Sequence, residues 1–472
     1  MQWDLKIING TIVTGSAMYE ADVYVKEGKI AAITKEQLQG ACTRVVDAEG
    51  KHVLPGLIDT HIHSRDPGPT YKEDFAHSTR AAAMGGITTV FEMPNTNPPV
   101  NTPENFDLQQ RNLDEKAYVD YGLWGICLGP MNLDSIQGLN DKGVIGFKFF
   151  WGYAVHEKTF QLLYNYEPGM DDVIPPFDDG DVLEMMEEVA KTGKRFAVHA
   201  ESSDLIQKLT SRVKDSGSDS YAAFLEGRPN LAESLTVNKG IELAKATGAR
   251  LHILHVSSEE GVTAVKRAQE EGYPITVETC PHYLFLSDED YPAIGTSMKV
   301  YPPVKFKKDQ DAIWEAVRNG TISHICSDHA PHTAEEKTGD LWSIPAGMCG
   351  VETMVPLMLN AVHDGKITLP DVVRLLAETP AKLFGIHPQK GTLQVGADAD
   401  VTIVDMNQED KIDQERLQSK SKVTAFDGFS VKGLPVMTIV RGNIVMDERV
   451  IVGDQGGGRI VKPVETREIL RK

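Results

Sequence analysis

An apolar run that ends in two histidines indicates the architecture of this chain: Leu57-Ile58-Asp59-Thr60-His61-Ile62-His63. Side chains two residues apart on a β-strand point to the same side of the strand. In a barrel of parallel strands, His61 and His63 would both face the barrel axis at the mouth where such barrels place their catalytic groups. Two imidazoles in this arrangement suit one metal ion. The alternative is a pair of histidines in an exposed loop.

The pattern from residue 52 onward is typical of repeated βα units, because short apolar runs alternate with longer amphipathic segments. Eight such runs occur, at residues 52–58, 86–93, 119–126, 145–150, 195–199, 250–256, 275–280 and 322–327. Helices are predicted between them, at residues 181–192, 231–247, 259–271 and 309–318. The predicted fold class is α/β, a TIM-like (β/α)8 barrel, because that barrel has eight strands.

Both ends of the chain have strand character instead. Residues 1–51 contain short apolar strands with tight turns, and strand patterns return at residues 401–404 and 435–445. A last helix is predicted to start at Pro370 and to break at Pro380. We therefore predict a barrel at residues 52–388 and one β-sandwich module built from residues 1–51 and 389–472, with an arm from Gly453 onward.

Three later barrel strands end in further candidate metal ligands. His199 ends the fifth run, His255 lies in the sixth run, and Asp328 directly follows the eighth run. A single buried histidine is often only a hydrogen-bonded core residue. Four histidines and an aspartate at matching strand ends favour a metal-dependent active site.

The fourth run contains a lysine, Lys148, between apolar residues. A buried ammonium group is unfavourable, so three alternatives are open. The pKa of the amine falls, the lysine pairs with an acid, or the neutral amine is modified, for instance by carbon dioxide to give a carbamate.

Composition excludes several classes of function. The 472 residues carry a net charge of -20, which repels nucleic acid and anionic lipid. The longest apolar stretches are far shorter than the roughly 18 residues of a membrane helix. Five scattered cysteines without a C-x-x-C pair, and no secretory signal at the first residues, predict a cytoplasmic protein with reduced thiols.

Together these residues resemble the cyclic amidohydrolases: dihydroorotase, allantoinase, dihydropyrimidinase and hydantoinase. The resemblance extends nearly end to end and implies a hydrolase that opens a small cyclic amide with two divalent metal ions, usually zinc. Carried over by position, the implied ligands are His61, His63, the carboxylated Lys148 that bridges both ions, His199, His255 and Asp328. Asp328 would also transfer the proton to the leaving nitrogen. We further expect a homo-oligomer, either a dimer or a tetramer.

The substrate ring is predicted from fewer residues. The segments around Arg65, Asn95 and His332 are similar to dihydroorotase signatures, in which these positions bind the substrate carboxylate; for Arg65 the alternative is a salt bridge to Asp66. Tyr153 falls where hydantoinases and dihydropyrimidinases stabilise an oxyanion, although it is equally compatible with an ordinary packed tyrosine. We therefore expect a dihydroorotate-like substrate, with hydantoin, dihydropyrimidine or allantoin as the alternative. A scaffold protein on the same fold is disfavoured because all six ligand positions are filled.

Overall fold

The structure is a computed structural model that describes residues 2–163, 166 and 169–464. Its centre is a barrel of parallel strands at Leu57–Ile62, Ile87–Glu92, Asp120–Leu123 with Gly125–Ile126, Phe147–Trp151, Arg195–Ala200, Arg250–Ile253, Thr276–Thr279 and His324–Ile325. Neighbouring strands follow chain order. A parallel bridge between Ile62 and His329 joins the eighth segment back to the first. The predicted (β/α)8 fold is confirmed.

Helices surround the barrel and connect its strands. The α-helices are Phe75–Met84, Pro103–Asp114, Ile136–Lys142, Asp179–Thr192, Ser203–Asp215, Tyr221–Gly227, Asn230–Thr247, Glu259–Glu270, Pro281–Phe285, Tyr291–Ile294, Lys307–Arg318, Met354–His363, Leu369–Val373 and Thr379–Leu383. The four predicted helices are present with ends shifted by one or two residues. The first of them begins early because Asp178 accepts hydrogen bonds from the backbone of Gly180 and Asp181, which caps the helix at Asp179.

The predicted first barrel run, residues 52–58, is wrong as a single strand. His52–Pro55 pairs with strands of a separate seven-stranded sheet, and the barrel strand begins only at Leu57. The change of sheet occurs at Gly56, where a Cβ atom would lie 2.2 Å from the Thr88 hydroxyl and 2.5 Å from Cβ of Asp400. Only glycine allows such a close approach of the two sheets.

The predicted helix break at Pro380 is also wrong. The chain stays helical from Leu369 to Leu383, with a π-helical segment Arg374–Glu378 directly before the turn that contains the proline. A proline ring normally clashes with the carbonyl group one turn earlier. The wider π turn moves that carbonyl group away, so the helix continues.

Strands from both ends of the chain form the predicted β module. A four-stranded sheet contains Lys29–Thr34, Asp22–Lys26, Gln2–Ile8 and Ala41–Asp47 in spatial order. The seven-stranded sheet contains Val450–Ile451, Asn443–Asp447, Ser430–Val440, Val401–Lys411, His52–Pro55, Thr11–Val13 and Met18–Glu20. The apolar residues between the two sheets form their own core cluster, separate from the barrel core.

Two further segments pack beside individual barrel strands. A small three-stranded sheet of Leu162–Leu163, Ala154–His156 and Val173–Ile174 follows the fourth barrel strand. The C-terminal arm runs along the third strand, where Ile460 forms a parallel bridge with Tyr121. Within the described ranges, no helix is both long and apolar enough to cross a membrane.

Candidate metal centre and active site

All ten predicted site residues line one cavity of about 600 Å³ at the mouth of the barrel. The barrel topology explains this convergence, because the carboxyl ends of its parallel strands meet at one face. The metal-ligand candidates belong to the first, fourth, fifth, sixth and eighth strands or to the residues directly after them. The ten residues are His61, His63, Arg65, Asn95, Lys148, Tyr153, His199, His255, Asp328 and His332.

His61, His63 and Asp328 form the first half of the candidate metal centre, since their ligand atoms lie within 4.8 Å of one another. Oδ1 of Asp328 is 3.3 Å from Nε2 of His61 and 3.7 Å from Nε2 of His63. The other nitrogen of each ring is held by the protein: Nδ1 of His61 contacts Glu278 and Nδ1 of His63 contacts Asn95, at 2.7 and 2.9 Å. With Nδ1 donating in both rings, each Nε2 lone pair faces the aspartate, as metal binding requires.

His199, His255 and Lys148 form the second half. Nδ1 of His199 lies 3.1 Å from Nε2 of His255. Among the described residues, Nδ1 of His255 and Nζ of Lys148 have no hydrogen-bond partner although both are fully buried. Buried polar atoms without partners are rare in folded proteins. Here they occur together in a cavity lined by ligand-type side chains, which fits a site built to hold cations.

Burial favours the neutral forms of four of the nitrogen ligands, His63, His199, His255 and Lys148. It lowers the pKa of His199 to about 4 and the pKa of His255 well below the usual range. The pKa of His63 is also well below its usual range, because of burial and the nearby positive charge of Arg65. Burial likewise lowers the pKa of Lys148 to about 7, although Asp328 and Glu278 act in the opposite direction. Neutral imidazoles and a neutral amine are the forms that bind metal or add carbon dioxide.

Glu278 was missed by the sequence analysis, and it organises the floor of the site. Its carboxylate is fully buried and accepts hydrogen bonds from four side chains: Thr60, His61, His252 and His324. Hydrogen bonds from three histidines hold its pKa well below the usual range despite burial. The sequence did contain a signal for Glu278, which is an acidic residue inside the apolar run 275–280. A carboxylate in such a strand can be buried in the barrel interior only if other groups pair with it.

Glu201 supports the second half in a similar way. Its Oε2 atom lies 3.0 Å from Nε2 of His199 and 2.5 Å from Nη1 of Arg228. The guanidinium of Arg228 stacks 3.5 Å from the centre of the Tyr301 ring. The ion pair with Arg228 lowers the pKa of Glu201 to about 2, so the group stays an acceptor. Nε2 of His199 is thereby fixed as the donor, which leaves its Nδ1 atom free to bind a metal.

The predicted carboxylate-binding residues also line the cavity, but their partners differ from those predicted. The alternative of a salt bridge between Arg65 and Asp66 is wrong, because Asp66 pairs with Lys116 at 2.7 Å. Within the described chain, no carboxylate lies within 4.0 Å of the Arg65 guanidinium; Nη2 lies 3.4 Å from His332 and Nε lies 3.4 Å from the carbonyl of Pro331. The cation therefore lines the cavity without a directly paired carboxylate, and Glu92 and Asp328 interact with its charge at longer range.

Both ring nitrogens of His332 already have hydrogen-bond partners, which the sequence does not indicate. Its Nε2 atom lies 3.0 Å from the carbonyl oxygen of Ala346, and its Nδ1 atom lies 3.2 Å from Nζ of Lys72. Since a carbonyl oxygen only accepts and an ammonium only donates, the ring is neutral with its proton on Nε2. Burial and the positive charges of Arg65 and Lys72 hold the pKa of His332 well below its usual value. Lys72, which also pairs with Glu336 at 2.9 Å, is a second cation in the cavity wall.

Tyr153 lies next to His199, one of the metal-ligand candidates. Its hydroxyl oxygen is 3.1 Å from Nε2 of His199, and the side chain is 6% exposed. The hydroxyl therefore reaches the same cavity as the candidate ligands. A hydroxyl donor in this position is close enough to interact with a ring bound at the metal centre.

Comparisons with known proteins agree with this geometry. The amidohydrolase family model matches residues 52–445. The chain is 37% identical over 464 residues to the L-hydantoinase of Paenarthrobacter aurescens, covering 97% of this chain and 98% of that protein. It is 35% identical to the allantoinase of Solibacter usitatus, covering 96% of each. It is 36% identical to the dihydroorotase of Bacillus cytotoxicus, covering 92% of this chain and 95% of that protein.

The structural comparison gives the same result. The solved L-hydantoinase (dihydropyrimidinase) of Arthrobacter aurescens superimposes with a TM-score of 0.91 at 36% identity, covering 98% of this chain and all of that one. The similarity therefore includes both the barrel and the β module. The relatives act on different rings at nearly equal identity, so overall similarity leaves the ring to be inferred from the site itself.

Proposed function

This chain belongs to the cyclic amidohydrolases of the amidohydrolase superfamily and hydrolyses a carbon–nitrogen bond of a small cyclic amide, and we propose that its ring substrate carries a carboxylate, as dihydroorotate does. The observation that carries this proposal is the environment of the Arg65 guanidinium. This half-buried guanidinium lines the cavity with a carbonyl and an imidazole as its hydrogen-bond partners, and among the described residues no carboxylate pairs with it directly; Glu92 and Asp328 interact with its charge only at longer range. A substrate carboxylate would supply the direct partner.

Two neighbouring groups support the same ring. The Lys72 ammonium, whose charge is balanced by Glu336 in the same cavity wall, supplies a further hydrogen-bond donor there. The Asn95 amide accepts from His63 through its oxygen, which leaves its NH₂ group as a donor toward the cavity. His332 has a different role from the one predicted: with both ring nitrogens engaged, it positions Lys72 rather than donating to the carboxylate.

We also propose that the site binds two divalent cations, with zinc the best match to its donors. The donor atoms of the site suit such cations: they include neutral imidazoles, one aspartate, and two buried polar atoms that lack partners in the described chain. Imidazole and carboxylate donors without a thiolate are typical of catalytic zinc sites. The residues that would hold the cations are His61, His63, Lys148, His199, His255 and Asp328. Cations bound there would polarise the ring carbonyl and lower the pKa of a water molecule.

Lys148 would join the two halves as a carbamate. Its amine adds to carbon dioxide, a new nitrogen–carbon bond forms, and one proton is released, which leaves an anion with two oxygen donors. The buried amine has its pKa lowered to about 7 by burial, so a substantial fraction is neutral near neutral pH. An anionic product also balances the cations better than an ammonium would.

The remaining steps use residues of the chain. Asp328, the only one of the ligand candidates with a carboxylate, would accept a proton from water and deliver it to the ring nitrogen as the amide bond breaks. Glu278, Asn95 and Glu201 would keep the imidazoles in the tautomers described above. Arg65 would orient the ring so that its amide carbon faces the metal centre.

A second candidate, hydrolysis of uncharged hydantoin or dihydropyrimidine rings, is favoured by Tyr153. Its hydroxyl lies 3.1 Å from His199, within reach of an oxygen that develops negative charge at the metal centre. The two candidates differ in which side chain recognises the ring. In the first it is the Arg65 guanidinium, and in the second it is the Tyr153 hydroxyl.

One assay panel separates the candidates: kcat/KM for dihydroorotate, hydantoin, dihydrouracil and allantoin, measured on the wild type, Arg65→Met and Tyr153→Phe. Under our proposal dihydroorotate is preferred, and Arg65→Met lowers its kcat/KM by roughly tenfold to more than a hundredfold while affecting uncharged rings much less. Arg80→Met, which removes a half-buried guanidinium outside the cavity, is the matched control. Strong turnover of an uncharged ring with undetectable dihydroorotate cleavage would overturn the proposed substrate and leave the amidohydrolase activity intact.

A further inference from the structure

One wall of the active-site cavity is a loop most of whose carbonyl oxygens accept hydrogen bonds from buried lysine side chains. Residues 342–347 all line the cavity. Behind the loop lie two buried lysines, Lys299 and Lys337, which are 1% and 3% exposed. Neither was singled out by the sequence analysis, and neither contributes a side chain to the cavity lining.

Lys299 holds the first half of the loop. Its Nζ donates hydrogen bonds to the carbonyl oxygens of Leu341, Trp342 and Ile344, at 2.6 Å for Leu341 and 3.4 Å for Trp342. All three donors of the ammonium group are used in this way. The single Nζ atom of Lys299 therefore holds the backbone from residue 341 to residue 344 by hydrogen bonds.

Lys337 holds the second half. Its Nζ donates to the carbonyl oxygens of Pro345 and Gly347, at 3.2 and 3.0 Å, and to the carbonyl oxygen of Lys299 at 2.9 Å. The amide of Gly347 donates to the same Lys299 carbonyl at 2.9 Å, which links the two lysine sites directly. His332 completes the set by donating to the carbonyl oxygen of Ala346.

These lysines lack a directly paired carboxylate among the described residues, and Asp340 acts on Lys299 only at longer range. In the part of the chain that the structure describes, no carboxylate forms a salt bridge with Lys299 or Lys337. Burial penalises the charged form of both amines and lowers the pKa of each to about 7, so stability alone is a poor reason to place two lysines here. Their common feature is that each satisfies three backbone carbonyls around the same cavity wall.

We propose that Lys299 and Lys337 are positioning residues that fix the loop of residues 341–347 against the bound ring and thereby determine which rings the enzyme accepts. With its carbonyls bound from behind, the loop presents side chains and amide groups to the substrate. A loop without these anchors would expose carbonyl oxygens to the cavity, and these would repel an anionic ring and weaken shape selection. This role holds for whichever ring the enzyme opens.

The test uses Lys299→Met and Lys337→Met in the metal-loaded enzyme, with Lys194→Met as the matched control. Lys194 is a half-buried lysine at the opposite end of the barrel, directly before the fifth strand. For each variant we would measure bound metal, melting temperature, and kcat and KM for dihydroorotate, hydantoin, dihydrouracil and allantoin.

We expect both cavity variants to keep their metal content and to keep kcat for the preferred ring within about threefold of the wild type. KM for that ring should rise about tenfold, and the ratio of kcat/KM between the preferred and second ring should fall by about fivefold or more. Lys194→Met should change neither KM nor the ratio. Variants that are less stable but keep wild-type KM and ring selectivity would overturn the proposal, as would a loss of metal that accounts for all of the lost activity.

If the variants do not fold, hydrogen exchange on the wild type tests whether the loop of residues 341–347 is held in place. The amides of residues 341–344, 346 and 347 should exchange at least about a hundredfold more slowly than those of the mostly exposed segment 36–40, because opening the loop breaks several buried hydrogen bonds at once. Equal exchange rates in the two segments would show that the lysines do not hold the loop.

Discussion

The Oε1 atom of Glu278 lies 2.7 Å from Nδ1 of His61, although the two residues are 217 positions apart in the chain. This contact fixes the imidazole tautomer at the candidate metal centre. Glu278→Gln replaces an acceptor of four hydrogen bonds with an amide that accepts on one side only. We expect metal affinity or kcat/KM to fall by roughly 10- to 100-fold, as measured by bound metal per chain and by initial rates. Glu352→Gln, a buried glutamate outside the cavity, is the control, and a Glu278→Gln enzyme with full metal and wild-type rates would contradict this role.

Asp328 is expected to be indispensable for turnover. The purified enzyme should contain close to two divalent ions per chain, and Asp328→Ala should keep the fold, as judged by circular dichroism, while losing nearly all activity. Loss of the proton-transfer group alone lowers kcat by about 10²- to 10⁴-fold. The exposed Asp134→Ala variant should behave as the wild type. An active enzyme without tightly bound metal would refute this mechanism.

Lys148 is expected to be required for metal binding. Lys148→Ala should lose both metal and activity, because the bridge between the two halves of the site is removed. Short carboxylic acids such as propionate, added with the metal, should restore part of both, since they supply two oxygen donors in the space that the side chain leaves. Full metal occupancy in Lys148→Ala without any added acid would show that the lysine is not a ligand.

Glu352 should make stability depend on pH. Burial raises the pKa of its carboxyl to about 7, whereas an unfolded glutamate has a pKa of about 4.3. Between these values the folded state keeps a proton that the unfolded chain releases. Stability from this group is therefore full below about pH 4, falls as the pH rises to about 7, and changes no further above that.

Glu352→Gln should abolish this dependence. At pH 8 the variant should be more stable than the wild type by on the order of 2–4 kcal/mol, a rise of roughly 1–4 °C in Tm for a chain of this size. At pH 4.5 the two proteins should melt within about 1 °C of each other. The exposed Glu226→Gln variant should show no pH-dependent difference, and the same Tm gain at both pH values would exclude titration of Glu352 as the cause.

The architecture and the candidate ligands follow from local patterns of the sequence. The eight apolar runs predict parallel strands, and polar residues at strand ends predict a site because such ends converge on one face of a barrel. His61, His63, His199, His255 and Asp328 could therefore be identified without any contact information. Two predictions from local patterns were wrong, and each has a local cause. The run 52–58 is not one strand because Gly56 lets the chain change sheets. The helix does not break at Pro380 because the π turn before it keeps the helix continuous.

Only the tertiary structure decided which partners these side chains have. Asp66 follows Arg65 in sequence yet pairs with Lys116, and His332 is occupied by Lys72 and Ala346. A strand or helix pattern fixes the side of the element on which a residue lies, but a hydrogen bond depends on distances of about 3 Å between segments distant in sequence. The sequence by itself thus determined the barrel and the chemistry at its mouth. Folding alone determined that Arg65 faces the cavity without a directly paired carboxylate among the described residues, and that two buried lysines donate hydrogen bonds to the carbonyls of its wall, because burial and pairing are properties of the packed chain.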